Sequence, residues 1–419
     1  MGFMTLITVP YGSTELSAEI PDRNFLSTIL PHSAEESGGS PSEIIRRALE
    51  NPIGTKRLCE MAGPSDRIAL FVNDITRPTP TAVILPFVLE ELGKAGVPDD
   101  HITIFFALGL HRSLTEEECI RITGEEIYRR IRCVQHEVGS YPVRHFGETS
   151  RATPVEIYED IAENDLLVAV GEIGFHYYAG YSGGAKSILP GVSSKDSVIA
   201  NHKRMIEKNA VSGRTDSPVR LDLEEAAGMV GLDFILNVVI DSHKNVIAAF
   251  AGHYIEAHRA GVKVVDRMYK VKVAPADAVI VSCGGYPKDI NLYQTNKALD
   301  NAVQAVREGG SVIVVSECRD GIGNDIYDRW NRECRTKEDA VERFSREFEF
   351  GGHKAAKTAA AAMRYKIYLV SSLTPEKAEE AFFIPAASVQ AAIDDVLKND
   401  PDTKFSFIPY GGQTLPTQE

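Results

Sequence analysis

Two hydrophobic periods alternate along this chain, and each change of period marks an element. Residues 67–73 (RIALFVN), 101–108 (HITIFFAL) and 166–172 (LLVAVGE) are short, nearly unbroken apolar runs, the pattern of strands buried on both faces. Between the first two, residues 81–95 carry the 3.6-residue period of a helix and stop at Gly96. Ser113-Leu114-Thr115-Glu116 reads as a capping box opening another helix. Strand, loop, helix repeated in this way predicts a parallel sheet covered by helices on both sides. Upstream, residues 4–20 alternate weakly around Pro10-Tyr11-Gly12 and predict a hairpin, and residues 41–62 predict a helix. Downstream, a helix is expected over 194–205. An antiparallel pair is expected at 234–241 and 245–252, joined at Ser242-His243-Lys244, followed by a helix over 254–269.

Residues 271–277 (VKVAPAD) read as a joint, after which a second series begins. It predicts strands at 278–283, 311–317 and 367–371, with helices at 297–308, 337–347 and 353–364. The expected fold class is α/β: two domains with mostly parallel sheets flanked by helices, and the active site in the cleft between them. The expected division is an N-terminal domain over 1–272, a C-terminal domain over 273–400, and a tail over 401–419. The tail repeats the Pro-Tyr-Gly of the amino terminus at Pro409-Tyr410-Gly411, and on that likeness it is expected to return to the N-terminal domain.

With 419 residues the chain exceeds one ordinary core, which agrees with two domains. Forty-five basic and fifty-nine acidic side chains give a net charge of −14, which argues against a nucleic-acid surface and leaves local basic sites for small anions. No apolar run approaches the roughly 20 residues of a membrane span, and the amino terminus lacks the pattern of a secretory signal. The six cysteines form no C-x-x-C pair. They are read as reduced thiols, and the chain as cytoplasmic.

The most informative stretch is residues 174–205, GFHYYAGYSGGAKSILPGVSSKDSVIANHKRM. It follows the strand at 166–172, and open α/β sheets place their ligands at the carboxyl ends of strands. Gly180 to Lys186 nearly forms a phosphate-binding loop, but Ala185 stands where such a loop has glycine before its lysine, which disfavours triphosphate hydrolysis. An anion-cradling turn remains open beside a plain tight turn with Lys186 in solvent. His111, His176 and His202 come from three elements that can converge over one sheet. Asp74-Ile75-Thr76-Arg77-Pro78 follows the strand at 67–73, where arginine can grip a carboxylate or phosphate in a bidentate manner. Tyr293-Gln294-Thr295-Asn296-Lys297 follows the Gly284-Gly285 turn of the second series and offers a phenol, an amide and an amine to a hydroxy acid. His253 and His258 fit no metal-binding spacing around Glu256 and are read as surface residues.

Together these segments resemble the LarA family, the nickel-dependent lactate racemase and its 2-hydroxyacid racemase and epimerase relatives. The segments carrying the likeness are 74–78, the His111 region, 176–191, 201–205 and 293–297. The resemblance implies a nickel-pincer nucleotide, a pyridinium-3-thioamide-5-thiocarboxylic acid mononucleotide bearing nickel. By that likeness Lys186 would hold it covalently, His202 would ligate nickel, and Asp74, Gly180, Ser182, Gly183 and Gly184 would complete its cradle. His111 and His176 would be the acid/base pair. Arg77, Tyr293, Gln294 and Lys297 would hold the substrate, a small 2-hydroxy acid. Hydride transfer through a bound 2-keto acid would avoid a carbanion beside a carboxylate. The family further implies cofactor-maturation proteins as partners and leaves room for a homo-oligomer.

The chain departs from the family at one place. Lactate-acting members close the pocket with a tryptophan near a helix start in the second domain. Trp330 lies too early for that position, and Phe350-Gly351-Gly352-His353-Lys354 stands there instead. That implies a substrate larger or more polar than lactate. Two alternatives stay open: a zinc- or magnesium-dependent lyase on a small hydroxy acid, and a non-catalytic cofactor-binding relative.

Overall fold

The computed structural model describes residues 3–32, 38–241 and 244–418, so the expected turn residues Ser242 and His243 lie outside the described residues. The chain forms two compact units, one of Ser33–Met268 and one of Met1–His32 with Tyr269–Glu419. Each is an α/β unit around a six-stranded sheet.

In the Ser33–Met268 unit the strand order is Val246–Gly252, Phe234–Ile240, Leu166–Glu172, Ile68–Asn73, Ile102–Ala107, Arg132–Val134. All neighbours are parallel except the first pair. Every residue of Leu166–Glu172 is buried, as its unbroken apolar run requires of a central strand. From Ile68–Asn73 the chain winds outward through Ile102–Ala107, while Leu166–Glu172 starts the other half, so the order reverses between these two neighbours. A crevice opens at such a switch point.

The other unit carries an all-parallel sheet in the order Ile384–Pro385, Lys366–Val370, Val306–Val315, Ala276–Ser282, Phe405–Ile408, Phe25–Thr28. The expected division into 1–272 and 273–400 is therefore corrected at both ends. The amino-terminal hairpin of Met4–Tyr11 and Thr14–Pro21 belongs with the carboxyl-terminal half. The tail does not return to the Ser33–Met268 unit: Phe405–Ile408 enters the second sheet, and Leu415–Thr417 pairs with Lys270–Lys272 in the segment read as a joint. Ile7, Val9, Ala18 and Ile20 of the hairpin share a core with Ala278, Ile280, Ile313 and Phe407. The likeness between the two Pro-Tyr-Gly segments thus put them correctly in one unit but named the wrong one.

Local corrections have local causes. The cap at residue 115 is Thr115, whose side chain accepts from Glu118 N–H, rather than Ser113. The helix expected over 41–62 ends at Glu50 before Pro52, and a short turn follows at Leu58–Met61. The helix expected to begin at residue 297 spans Leu292–Ala302, because the Asn291 side chain caps it by accepting from Gln294 N–H at 3.0 Å. Among the described residues, no helix is long and apolar enough to cross a membrane.

Burial of Ile7, Val9 and Ile20 contributes roughly 6 kcal/mol at about 2 kcal/mol each, a large share of a typical domain's stability. A fragment of residues 269–419 is therefore expected to lack a cooperative thermal transition by circular dichroism, and joining residues 1–32 to it should restore one. A cooperative melt of the shorter fragment would refute the hairpin's place in the core.

Candidate active site at the switch point

The site is built from three loops at the carboxyl ends of neighbouring strands. Ile68–Asn73 delivers Asp74 and Arg77, Ile102–Ala107 delivers His111, and Leu166–Glu172 delivers the loop from Gly174 to Lys186. The loops are tied together: Gly109 N–H donates to Gly191 O at 2.9 Å, and Gly191 N–H to Lys186 O at 3.1 Å.

Asp74, expected to contact cofactor, uses its carboxylate within the protein. Oδ1 accepts from Thr76 N–H at 2.7 Å and Oδ2 faces His111 Nδ1 at 3.0 Å. Burial by itself would raise this carboxyl, but the hydrogen bond and charge of His111, with Arg77, bring it down to about 2. An ionised Asp74 fixes the proton on His111 Nδ1 and leaves Nε2 as the basic nitrogen. His176 is set the other way. Its Nδ1 accepts from Ala179 N–H at 3.3 Å, so the proton of the neutral ring sits on Nε2. Burial, then the charges of Lys186, Arg77 and Arg220, hold His176 well below the usual histidine range.

Tyr178, which the sequence reading did not single out, lies at the centre. Its buried ring meets His176 edge-on at 4.4 Å, and Lys186 Nζ stands 5.7 Å from its centroid. Its hydroxyl is 2.7 Å from His202 Nε2. His202 Nδ1 lies 3.3 Å from Asn201 Oδ1, and Asn201 is held in turn by Asp222 Oδ2 at 2.8 Å. Burial pushes His202 down to about 3, with Lys186 and His111 adding to the effect. Lys186 is likewise depressed well below the usual lysine range, first by burial and then by Arg77 and Arg220, with Glu172 opposing. The resulting group is an amine of lowered proton affinity and two neutral imidazoles around one phenol.

Regular structure in the glycine-rich loop is limited to the short pair Phe175–His176 with Gly180–Tyr181 and the single turn Gly184–Ser187, and buried side chains from neighbouring helices satisfy several of its carbonyls. Arg220, fully buried, donates through Nε to Ala179 O at 3.2 Å, through one terminal nitrogen to Gly183 O at 3.1 Å, and through the other to Tyr181 O. His258 Nε2 donates to Ser182 O at 2.8 Å. The expectation that His258 lies at the surface is overturned, since it is fully buried beneath the loop. Gly180, Gly183 and Gly184 all take positive φ. A Cβ at Gly180 would meet Arg214 O at 1.8 Å, and one at Gly183 would meet Asn237 Oδ1 at 2.7 Å. These glycines are required by the protein's own backbone packing. Ser182 Oγ donates to Glu172 Oε2 at 2.9 Å and accepts from Gly174 N–H, while Gly184 N–H donates to Asn237 Oδ1 at 2.7 Å.

Tyr293, Gln294 and Lys297 occupy the first turns of Leu292–Ala302 in the other unit. Tyr293 and Lys297 are four residues apart and share a helix face. The Tyr293 ring meets Tyr327 at 6.5 Å and His353 at 6.3 Å, both edge-on.

Comparison with known proteins gives a consistent result. Residues 11–213 match the lactate racemase N-terminal domain family and residues 271–413 the lactate racemase C-terminal domain family. The lactate racemase of Thermoanaerobacterium thermosaccharolyticum is 35% identical over 97% of this chain and 98% of its own length. That of Lactiplantibacillus plantarum is 34% identical over 77% of each chain. The solved apoprotein of the Thermoanaerobacterium enzyme superposes with a TM-score of 0.90 at 33% identity, covering 98% of this chain and 100% of that one.

The buried histidines make stability sensitive to acid. His176, His202 and His258 are all held below the ordinary histidine value, chiefly by burial. Below about pH 6.5 the unfolded chain takes up protons that the folded one refuses, so stability falls as pH falls. Three such groups give a slope of up to about 4 kcal/mol per pH unit. Denaturant titrations of the protein at pH 7.5, 6.5 and 5.5 should show this loss, and a flat profile would mean the three rings are not held neutral.

Proposed function

The chain belongs to the lactate racemase family, and from that premise we propose that it is a racemase or epimerase of a 2-hydroxy acid that works with a nickel-pincer nucleotide through a bound 2-keto acid. Its class is isomerase. The observation that carries the reading is the opposite setting of the two histidines, with His111 basic at Nε2 and His176 bearing its proton there. Inversion at a carbinol carbon needs one group to take the hydroxyl proton and another to serve the oxygen on the opposite side.

The donor chemistry fits the implied cofactor. A neutral imidazole with its other nitrogen beside an oxygen acceptor suits a metal ligand, and His202 with Asn201 has that arrangement. A neutral amine is the form that forms a covalent bond to carbon, and burial shifts Lys186 towards it. When bound, the group supplies an electron-poor ring able to accept hydride. The chain's own residues do the rest. His111 Nε2 takes the hydroxyl proton, with Asp74 stabilising the charge that develops on the ring. His176 Nε2–H steadies the carbonyl oxygen of the 2-keto acid, and in its other tautomer, with the proton on Nδ1, its Nε2 would take the hydroxyl proton of the opposite enantiomer. Arg77 pairs with the carboxylate. Tyr293, Gln294 and Lys297 remain substrate-binding candidates on the strength of their motif. Gly180, Gly183, Gly184 and Ser182 hold the shape that presents Lys186.

A zinc or magnesium lyase would need several protein donors on one ion. Among the described residues, no three His, Cys, Asp or Glu side chains are grouped in that way. A non-catalytic carrier would have no use for the Asp74–His111 pair.

Holoenzyme produced with its maturation proteins should interconvert the enantiomers of a 2-hydroxy acid by chiral chromatography. Replacement of His111 or His176 by alanine should lower kcat by roughly 10²- to 10⁴-fold while the variant still folds and melts cooperatively by circular dichroism. Enantiomers left intact by a fully loaded enzyme would sink the proposal. Intact-mass analysis should show an adduct on the wild-type chain that is missing from Lys186→Ala, and an adduct surviving that change would remove Lys186 as the attachment point.

A further inference from the structure

A chain of hydrogen bonds behind His202 fixes how its ring is set. Asp222 is fully buried and accepts from the Thr149 hydroxyl at 2.6 Å, the Thr153 hydroxyl at 2.7 Å and the Asn201 side-chain amide at 2.8 Å. A carboxylate only accepts, so the amide nitrogen of Asn201 faces Asp222. The same nitrogen donates to Val219 O at 3.2 Å. The amide oxygen of Asn201 is thereby turned to His202 Nδ1, at 3.3 Å. That oxygen also only accepts, so Nδ1 carries the proton of the neutral ring and Nε2 carries the lone pair.

The next bond then has a determined direction. The Tyr178 hydroxyl lies 2.7 Å from Nε2, and it must be the donor, because that nitrogen has no proton to give. An imidazole nitrogen offers a single lone pair in the plane of its ring. It can take a phenol proton or a metal, but not both at once. The nitrogen that the nickel reading assigns to the metal is therefore the one that Tyr178 holds.

The backbone of Tyr178 is pinned where this happens. Its carbonyl accepts from the Ser217 hydroxyl at 2.5 Å, and the ladder of Phe175–His176 with Gly180–Tyr181 flanks it on both sides. With the main chain held, the phenol leaves Nε2 by turning its side chain. The ring that turns is the one that meets His176 edge-on at 4.4 Å. Exchange at His202 thus alters the surroundings of His176 as well.

We propose that Tyr178 is a placeholder for the metal: its hydroxyl caps His202 Nε2, keeps that lone pair directed into the site, and gives it up when the cofactor loads. The inference rests on the nickel reading above and adds to it a positioning residue that competes with loading.

The test is a competition. Wild-type and Tyr178→Phe proteins, each made without maturation proteins, are mixed and given a limiting amount of the nickel-pincer nucleotide. Intact-mass analysis then reads the adduct on each chain, and nickel content is measured on each alone. Tyr178→Phe keeps the ring and lacks the competing hydroxyl, so it should load roughly twofold to tenfold more than wild type, the range of one net hydrogen bond. Equal loading, or a preference for wild type, overturns the inference. A second readout is the Nε2 resonance of His202 in protein labelled with 15N-histidine, assigned with His202→Gln. Before loading it should be that of an unprotonated nitrogen, and Tyr178→Phe should shift it. A resonance indifferent to Tyr178→Phe overturns the placeholder role. If Tyr178→Phe does not fold, the wild-type resonance decides, and a proton on Nε2 before loading overturns it. Nickel uptake that requires His202 but ignores Tyr178 defeats this inference alone. No uptake by wild type, or undiminished uptake by His202→Gln, defeats the nickel reading with it.

Discussion

The Arg220 guanidinium, buried under the lysine loop, is the contact on which the site depends. A glycine-rich loop with only one two-residue ladder and one 3-10 turn must still satisfy its remaining carbonyls, because a buried unpaired carbonyl is costly. Arg220 answers this for Ala179, Tyr181 and Gly183 at once, and His258 answers it for Ser182. A lysine could not take its place, since a compact ammonium lacks the planar fork that reaches three acceptors. Glu224 lies 3.8 Å from Arg220 and 2.7 Å from Arg259, so the buried charge is compensated from below rather than from the loop side. The same cation then acts upward. It is among the charges that lower the proton affinity of His176 and Lys186, so one residue acts both on the shape of the loop and on the groups it carries.

The position of that loop follows from strand order. Ile68–Asn73 and Leu166–Glu172 are neighbours whose outgoing connections part in opposite directions, so Asp74 and Arg77 face the lysine loop across the opening between them. His111 enters from the next strand, and Gly109 fastens its turn to Gly191. Three loops that are distant in sequence converge because the sheet gives them adjacent starting points.

Much of this was legible in the chain. Unbroken apolar runs gave the central strands, and motifs at their ends gave His111, His176, Lys186 and His202. What escaped was long-range or disguised. Arg220, Asp222 and Glu224 lie on Pro218–Val230, a helix whose buried face is partly charged, so its apolar period is broken where its work is done. His258 was placed at the surface from its spacing to Glu256, although burial on Glu256–Tyr269 is set by the loop above it. Tyr178 reads as one aromatic among several in HYYAGY until the backbone turns it between two histidines and a lysine. The hairpin's membership in the carboxyl-terminal unit depends on the pairing of Phe25–Thr28 with Phe405–Ile408, which no local pattern records.

The two histidines are alike in residue type and unlike in setting, and this difference bears on the reaction. His111 is partly exposed and faces the carboxylate of Asp74 at 3.0 Å. His176 is buried among cationic groups, where a charge on its ring is opposed. For a pair of enantiomers the equilibrium constant is one, so kcat/KM must be equal in the two directions whatever the residues do. On the proposed assignment of these two as the acid/base pair, their inequality would therefore appear in kcat and KM separately, by shifting how long each enantiomer waits as a bound complex. An enzyme whose overall balance is fixed by symmetry can still be built from two environments that share none.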